Sequence, residues 1–329
     1  KLGGLGGAGG PPATAFHAGV LATIAAETGW DPRAVEVMVG TSSGAIAASS
    51  LRAGFSPSDL LARAVGGSVS AEGQALLDRV TTPYTATSSG PTGRKPTNPL
   101  LVARSLLGGI RPGLAYAGAL PRGTIDGSAT RLRVDEMSNG GEWPALPTWL
   151  CAVRLRDGKR IALGRDDVAV ESIGLAVQAS SAVPGQFVPV NIAGDDYVDG
   201  AVHSTTNVDL LTGLGLDGVV VSSPKSIAPS DANWKVYPTR TYFRRTLQSE
   251  IDKVTKVGTP VLTVEPEGLL LELLESDTID MAAVAEAASV TTIAALARSK
   301  KVAKRLASQG DDHDEDNAVN ESAAIDDSE

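Results

Sequence analysis

The chain has 329 residues, 42% hydrophobic and 4% aromatic, with one cysteine, three histidines and a formal net charge of −9. That length suits one large α/β domain or two small ones, with a core built mainly from Ala, Val, Leu and Ile. A lone cysteine excludes an intrachain disulfide and a cysteine-based metal site, and three scattered histidines leave little for a metal cluster. Nine of the 38 acidic residues lie between Asp311 and Glu329, where there is no Lys or Arg; the rest of the chain balances 29 acidic against 29 basic residues and carries no nucleic-acid footprint.

The chain opens on Lys1-Leu2 against the glycine cluster Gly3–Gly10, followed by Pro11-Pro12 and AFHAGVLATIAAE. Proline suits the first helical turn, whose N–H groups lack partners, and Phe16, Val20, Leu21 and Ile24 recur at helical spacing. The reading is a glycine loop entering a helix. A strand before that loop would lie mostly upstream of Lys1, so the sequence reads as truncated at its N-terminus, and a targeting segment there stays open. Gly29-Trp30-Asp31-Pro32 ends the helix.

Val35, Val37 and Val39 then mark a short buried strand, followed by Gly40-Thr41-Ser42-Ser43-Gly44 and a helix of small residues. This strand–helix alternation predicts an α/β fold with a mostly parallel sheet. Ser56-Pro57-Ser58-Asp59 starts another helix. Thr81–Pro99 is rich in proline and hydroxyl residues and reads as a mobile loop, followed by a short apolar helix over Leu100–Leu107. The 81–145 region is read as a variable insertion, either a lid or lipid-facing element or a surface insertion without a role.

Strands are predicted at Trp149–Leu155, with Cys151 as a buried strand residue, and at Arg160–Leu163 after the Asp157-Gly158 turn. A small-residue helix comes next over Ser172–Ala182, then strands at Phe187–Ile192 and Asp196–Val198 around Ala193-Gly194-Asp195. Gly218–Ser222 is a buried strand, Tyr242–Val257 an amphipathic helix, Pro260–Glu265 a strand and Asp280–Leu306 a long helical stretch. No run approaches 18 apolar residues, so no transmembrane helix is expected. The organisation is one domain over residues 1–307 and a disordered acidic tail over 308–329.

Gly40–Gly44 is a G-x-S-x-G on a strand-to-helix bend, the setting that exposes the hydroxyl of a nucleophilic serine, here Ser42. Gly40 and Gly44 let the strand and helix backbones approach, and the helix N-terminus offers N–H groups to an oxyanion. A strand–helix loop rich in glycine and serine gives the same pattern without chemistry. Serine needs a base. His17 lies in the first helix, His203 four residues after Asp199, and His313 in the acidic tail; a Ser-His-Asp esterase remains one reading. Gly4-Leu5-Gly6-Gly7-Ala8-Gly9 also matches a dinucleotide-binding G-x-G-x-x-G, although no acidic residue closes the second strand.

Four blocks in order, Gly3–Leu21, Gly40–Ala45, Ala179–Val190 (ASSAVPGQFVPV) and Tyr197–Val202 (YVDGAV), resemble the patatin-like phospholipases. The resemblance implies a three-layer α/β/α fold and lipid acyl hydrolysis of phospholipase A or esterase type. It implies a Ser-Asp dyad of Ser42 and Asp199 working through an acyl-serine, with Gly200 supporting the Asp-Gly turn. The oxyanion hole it implies comes from the glycine loop, through Gly7, Gly9 and Gly10. No metal or organic cofactor is implied. The expected partner is a lipid or ester substrate, with transient membrane-surface contact, no nucleic acid, and a cytoplasmic or membrane-peripheral location. The family's loop usually carries Lys or Arg after the glycines, where this chain has Pro11-Pro12-Ala13. That departure makes neutral esters as plausible as charged phospholipids.

Overall fold

The computed structural model describes residues 1–85, 87–88, 90, 95–106 and 111–309. The expected acidic tail, His313 included, lies outside the described residues from 310 onward, as do parts of the Thr81–Pro99 loop. The elements in order are β1 (Leu2–Gly6), α1 (Pro11–Thr28), β2 (Val37–Gly40), α2 (Ser43–Ala53), α3 (Pro57–Val65), α4 (Ala71–Asp78), β3 (Thr87–Ser88), α5 (Pro99–Leu106), α6 (Pro112–Ala119), β4 (Ile125–Asp126) and α7 (Ser128–Met137). They continue with β5 (Thr148–Arg154), β6 (Arg160–Leu163), α8 (Ile173–Ser180), β7 (Val190–Ile192), β8 (Asp195–Asp199), β9 (Gly218–Ser222), α9 (Pro238–Lys256), β10 (Val261–Val264), α10 (Gly268–Glu275) and α11 (Met281–Arg298).

The central sheet has eight strands in the order β10-β9-β1-β2-β5-β8-β7, with β6 also on β5. From β10 to β5 the pairings are parallel, and β6, β8 and β7 are antiparallel. Both faces are covered, so the central strands are apolar throughout rather than alternating. Val220, Met38, Leu150 and Ala152 face α1, α2, α8 and α11. Their neighbours Val219, Val221, Val37, Val39, Trp149 and Cys151 face α9 through Leu247 and Val254. The result is a three-layer α/β/α fold.

The glycine cluster departs from the sequence expectation. Leu2–Gly6 is itself the first strand, paired in parallel with β2 and β9, and the loop begins only at Gly7. Glycine is a weak strand former, yet a backbone that another backbone must approach closely requires it. A Cβ at Gly6 would stand 2.8 Å from the Gly44 Cα, and Thr41 N–H donates to the Gly6 carbonyl at 3.1 Å. The strand is bare so that α2 can seat on it.

A second departure concerns α11. By length and composition it is apolar enough to cross a bilayer, with a mean hydropathy of 1.3. Its alanine-rich face packs on α1 and α3, and Val284, Ala288 and Ala295 are buried in the main core. A helix that is apolar almost all round is also what a large core uses. After a turn at Ser299 a further helical stretch covers 300–309, burying Val302 and Leu306. Helices α4, α6, α7 and α10 have no counterpart in the sequence reading.

Candidate active site

The topology of β5 brings two strand ends together. Leu150 lies opposite Gly40 of β2 and Leu163 of β6, and Ala152 opposite Asp199 of β8 and Ile161 of β6. A strand has two edges, so β2 and β8 share the one that β6 does not occupy. β2 runs parallel to β5 and β8 antiparallel, so their C-terminal ends meet head to head, about 7 Å apart along β5. Ser42 comes just after one end and Asp199 closes the other.

Ser42 has φ 55° and ψ −118°, a left-handed backbone that a non-glycine residue holds only when its surroundings impose it. Several contacts do so. Ser42 N–H donates to the Ser180 hydroxyl at 3.0 Å, and that hydroxyl donates to the Cys151 carbonyl at 2.6 Å. The Asn207 side-chain amide donates to the Thr41 hydroxyl at 3.0 Å and accepts from Arg160 at 3.2 Å. A Cβ at Gly40 would come within 2.6 Å of the Ala45 Cα, and one at Gly44 would overlap the Gly6 carbonyl. Both flanking glycines are therefore required by space.

Asp199 is 3% exposed. Its N–H donates to the Ala182 carbonyl at 2.9 Å, and its carboxylate accepts the Ala201 N–H at 2.8 Å. Burial pushes its pKa up to about 6, against the opposing hydrogen bonds from Ala201 and from the Ser42 hydroxyl. Gly200 is bare because a Cβ there would strike the Cys151 carbonyl. The two strand ends thus set a buried carboxyl, raised by its burial to about 6, beside Ser42.

The three expected oxyanion glycines do not share one environment. The Gly7 N–H donates to the Ser222 carbonyl at 2.9 Å, which removes it from the donors facing a ligand. Gly9 and Gly10 lie beyond the strand, and Gly10 has φ 69° at the N-cap of α1. A Cβ at Gly9 would lie 2.9 Å from Pro224. The sequence reading missed Ser43, whose N–H opens α2 at a position with no intrahelical acceptor.

His17 is no partner of Ser42. It is 1% exposed, with Nε2 2.7 Å from the Gly7 carbonyl and Nδ1 2.7 Å from the Ser222 hydroxyl. A carbonyl only accepts, so Nε2 carries the proton and Nδ1 accepts from Ser222. Burial lowers its pKa to about 4, so the ring is a neutral brace for the glycine loop. The Ser43 hydroxyl donates to the same Gly7 carbonyl at 3.1 Å. His203 sits among Arg111, Arg160, Asp209 and Lys253; burial first, then the three cations, draw its pKa to about 3 against the opposing pull of Asp209. The first two glycines of the G-x-G-x-x-G lie in β1, not in a phosphate-binding turn.

Support also comes from residues with no sequence signal. Glu250 of α9 is buried and accepts from the Thr206 hydroxyl at 3.0 Å and the Val208 N–H at 3.1 Å, on either side of Asn207. Arg160 pairs with Asp209 at 2.6 Å. The strut reaches Thr41 from the far layer.

Comparison with protein families matches the patatin-like phospholipase model over residues 7–212. Among solved structures, the crystal structure of VipD from Legionella pneumophila is similar at 12% identity and a TM-score of 0.39, over 91% of this chain and 66% of that one. The chain thus spans just under two-thirds of that protein's length. Comparison with curated proteins gives no match.

Proposed function

The chain belongs to the patatin-like phospholipase family, which implies lipid acyl hydrolase activity, and on that premise we propose that it cleaves carboxylic esters of lipids through a Ser42–Asp199 dyad. The observation that carries the reading is the meeting of the β2 and β8 ends along β5, which brings the buried Asp199 close to a serine held at positive φ.

The Ser42 Oγ attacks the ester carbonyl carbon while its proton passes to the Asp199 carboxylate. A carboxyl that titrates near 6 is ionised at neutral pH and still basic enough to receive it. The oxyanion is met by backbone N–H groups of Ser43, Gly9 and Gly10, each such donor contributing on the order of 10²–10³ in rate. Collapse expels the alcohol, which takes the proton from Asp199 and leaves an acyl-serine. Water then repeats the sequence with Asp199 as base, releasing the acid. His17 holds the Gly7 carbonyl so that the N–H groups after it keep their direction.

The test is labelling with a fluorophosphonate probe and mapping of the modified residue. Ser42 is the expected site, and Ser42→Ala abolishes labelling and ester hydrolysis while the protein still melts cooperatively. A label on Ser43, or full activity in the alanine variant, would refute the assignment.

A further inference from the structure

One helical turn along α2 from Ser42, a groove of about 220 Å³ runs between α1, α2, α3 and the start of α11, lined by Thr14, Ile46, Ser50, Leu60, Ala64 and Met281 among others. Resting on the Ser42 reading for its direction, we propose that this groove receives the acyl chain of the ester, its carbonyl end at Ser42 and its methyl end toward Leu60 and Met281.

Continuity with the site argues for that occupant. Ile46 lies one helical turn after Ser42, its N–H donating to the Ser42 carbonyl at 3.2 Å. A helical side chain covers the turn N-terminal to its own Cα, so Ile46 spans the gap between nucleophile and groove. Thr14 stands in the first turn of α1, four residues after Gly10, and its hydroxyl is spent on the Pro11 carbonyl at 2.6 Å. The near end of the groove is therefore bounded by Ile46, one helical turn from Ser42, and Thr14, one helical turn from Gly10.

The chemistry of the walls suits a chain of methylenes. Besides Thr14, Ser50 and Arg63 the walls are apolar, and Ile46, Ala47, Leu60, Ala64 and Met281 are only half-buried, so a ligand would remove apolar surface that water now meets. The cation on the lining, Arg63, does not make the groove polar. Its guanidinium is drawn away, 5.6 Å over the Phe55 ring and 3.9 Å from the Met137 sulfur, and its aliphatic stem serves as wall.

The test uses the full chain and two variants. Ala64→Phe fills the groove from α3. Met281→Glu puts a charge in it at the first turn of α11, where a carboxylate suits the helix N-terminus and folding is favoured. Binding of dansylundecanoic acid is monitored by fluorescence in a Ser42→Ala background, so no turnover is needed. Each variant is expected to weaken binding about tenfold or more, the loss when two or three methylenes stay in water. With Ser42 intact, the ratio of kcat/KM for p-nitrophenyl octanoate over acetate should fall by a similar factor. No binding to the Ser42→Ala chain, or unchanged affinity and ratio in both variants, overturns the groove. Ester hydrolysis that survives Ser42→Ala overturns the serine reading instead and leaves the binding result standing.

Discussion

Asp199→Asn should destroy turnover and stabilise the protein, and both effects follow from the same burial. The carboxyl titrates at its ordinary 3.8 when exposed and near 6 in the fold. Once both states are ionised, that difference is a penalty of about 3 kcal/mol on folding. The sign is the reverse of the usual carboxylate case. Below about pH 4 both states are protonated and Asp199 costs nothing. Between about 4 and 6 the unfolded chain ionises first, and stability falls as pH rises; above about 6 the penalty is complete. Asparagine keeps the shape and can still accept the Ala201 N–H, yet it neither ionises nor takes a proton. Urea unfolding of both proteins from pH 4 to 8 measures the difference, in which other buried acids such as Glu265 cancel. The gap in favour of the asparagine variant should be near zero at about pH 4 and widen to about 3 kcal/mol by about pH 7, while ester turnover drops on the order of 10²–10⁴. A flat difference would show that Asp199 is not held above its ordinary value. Retained turnover would remove it as the base.

The acid limb of kcat/KM should fall near pH 6, tracking Asp199, and neither His17→Ala nor His203→Ala should move it, as a pH–rate series will show. His17→Ala should lower kcat by loosening the Gly7 carbonyl, with partial recovery in His17→Gln, whose amide can donate to that carbonyl. Ser180→Ala leaves the buried Ser42 N–H without its acceptor, for a loss of about 1–3 kcal/mol in unfolding free energy and a fall in kcat larger than any change in KM. Gly44→Ala drives a methyl onto the Gly6 carbonyl, so α2 must lift from β1; a loss of several kcal/mol by thermal melting and near-complete inactivity are expected.

What can be read from sequence is local. The Val35–Val39 strand, the G-x-S-x-G bend and the Ser56 and Ser172 caps are written in a few adjacent residues each, and the strand-to-helix turn comes from them. β1 is misread because its residue types argue for a loop; only the contact between Gly6 and Gly44, 38 positions apart in sequence, makes glycine the right choice in a strand. The same limit hides the roles of Ser43, Ser180, Asn207 and Glu250. Their residue types are ordinary, and their meaning lies in what a distant segment brings to them. Helices α4, α6, α7 and α10 are short, and α7 carries a mixed polar sequence with weak periodicity, so tertiary packing rather than pattern sets them.

The site's dimensions are set twice over, by two segments that are not themselves chemical. Along β5, Leu150 and Ala152 fix where β2 stops and where β8 stops. At the end of α8, Ser180 and Ala182 repeat that spacing of two residues: the Ser180 hydroxyl takes the Ser42 N–H and the Ala182 carbonyl takes the Asp199 N–H. The Ser180 hydroxyl also donates to Cys151, the β5 residue between Leu150 and Ala152, which ties the two rulers together. An aspartate has a shorter reach than an imidazole and no second nitrogen to be oriented by a third residue. A dyad built on it has to place two backbones accurately, where a triad can let a histidine span the gap. That requirement fits the proposed nucleophile and base on opposed strand ends along one edge of β5. It also accounts for the conformational strain at Ser42 and the desolvation at Asp199, which the surrounding three-layer core is large enough to offset.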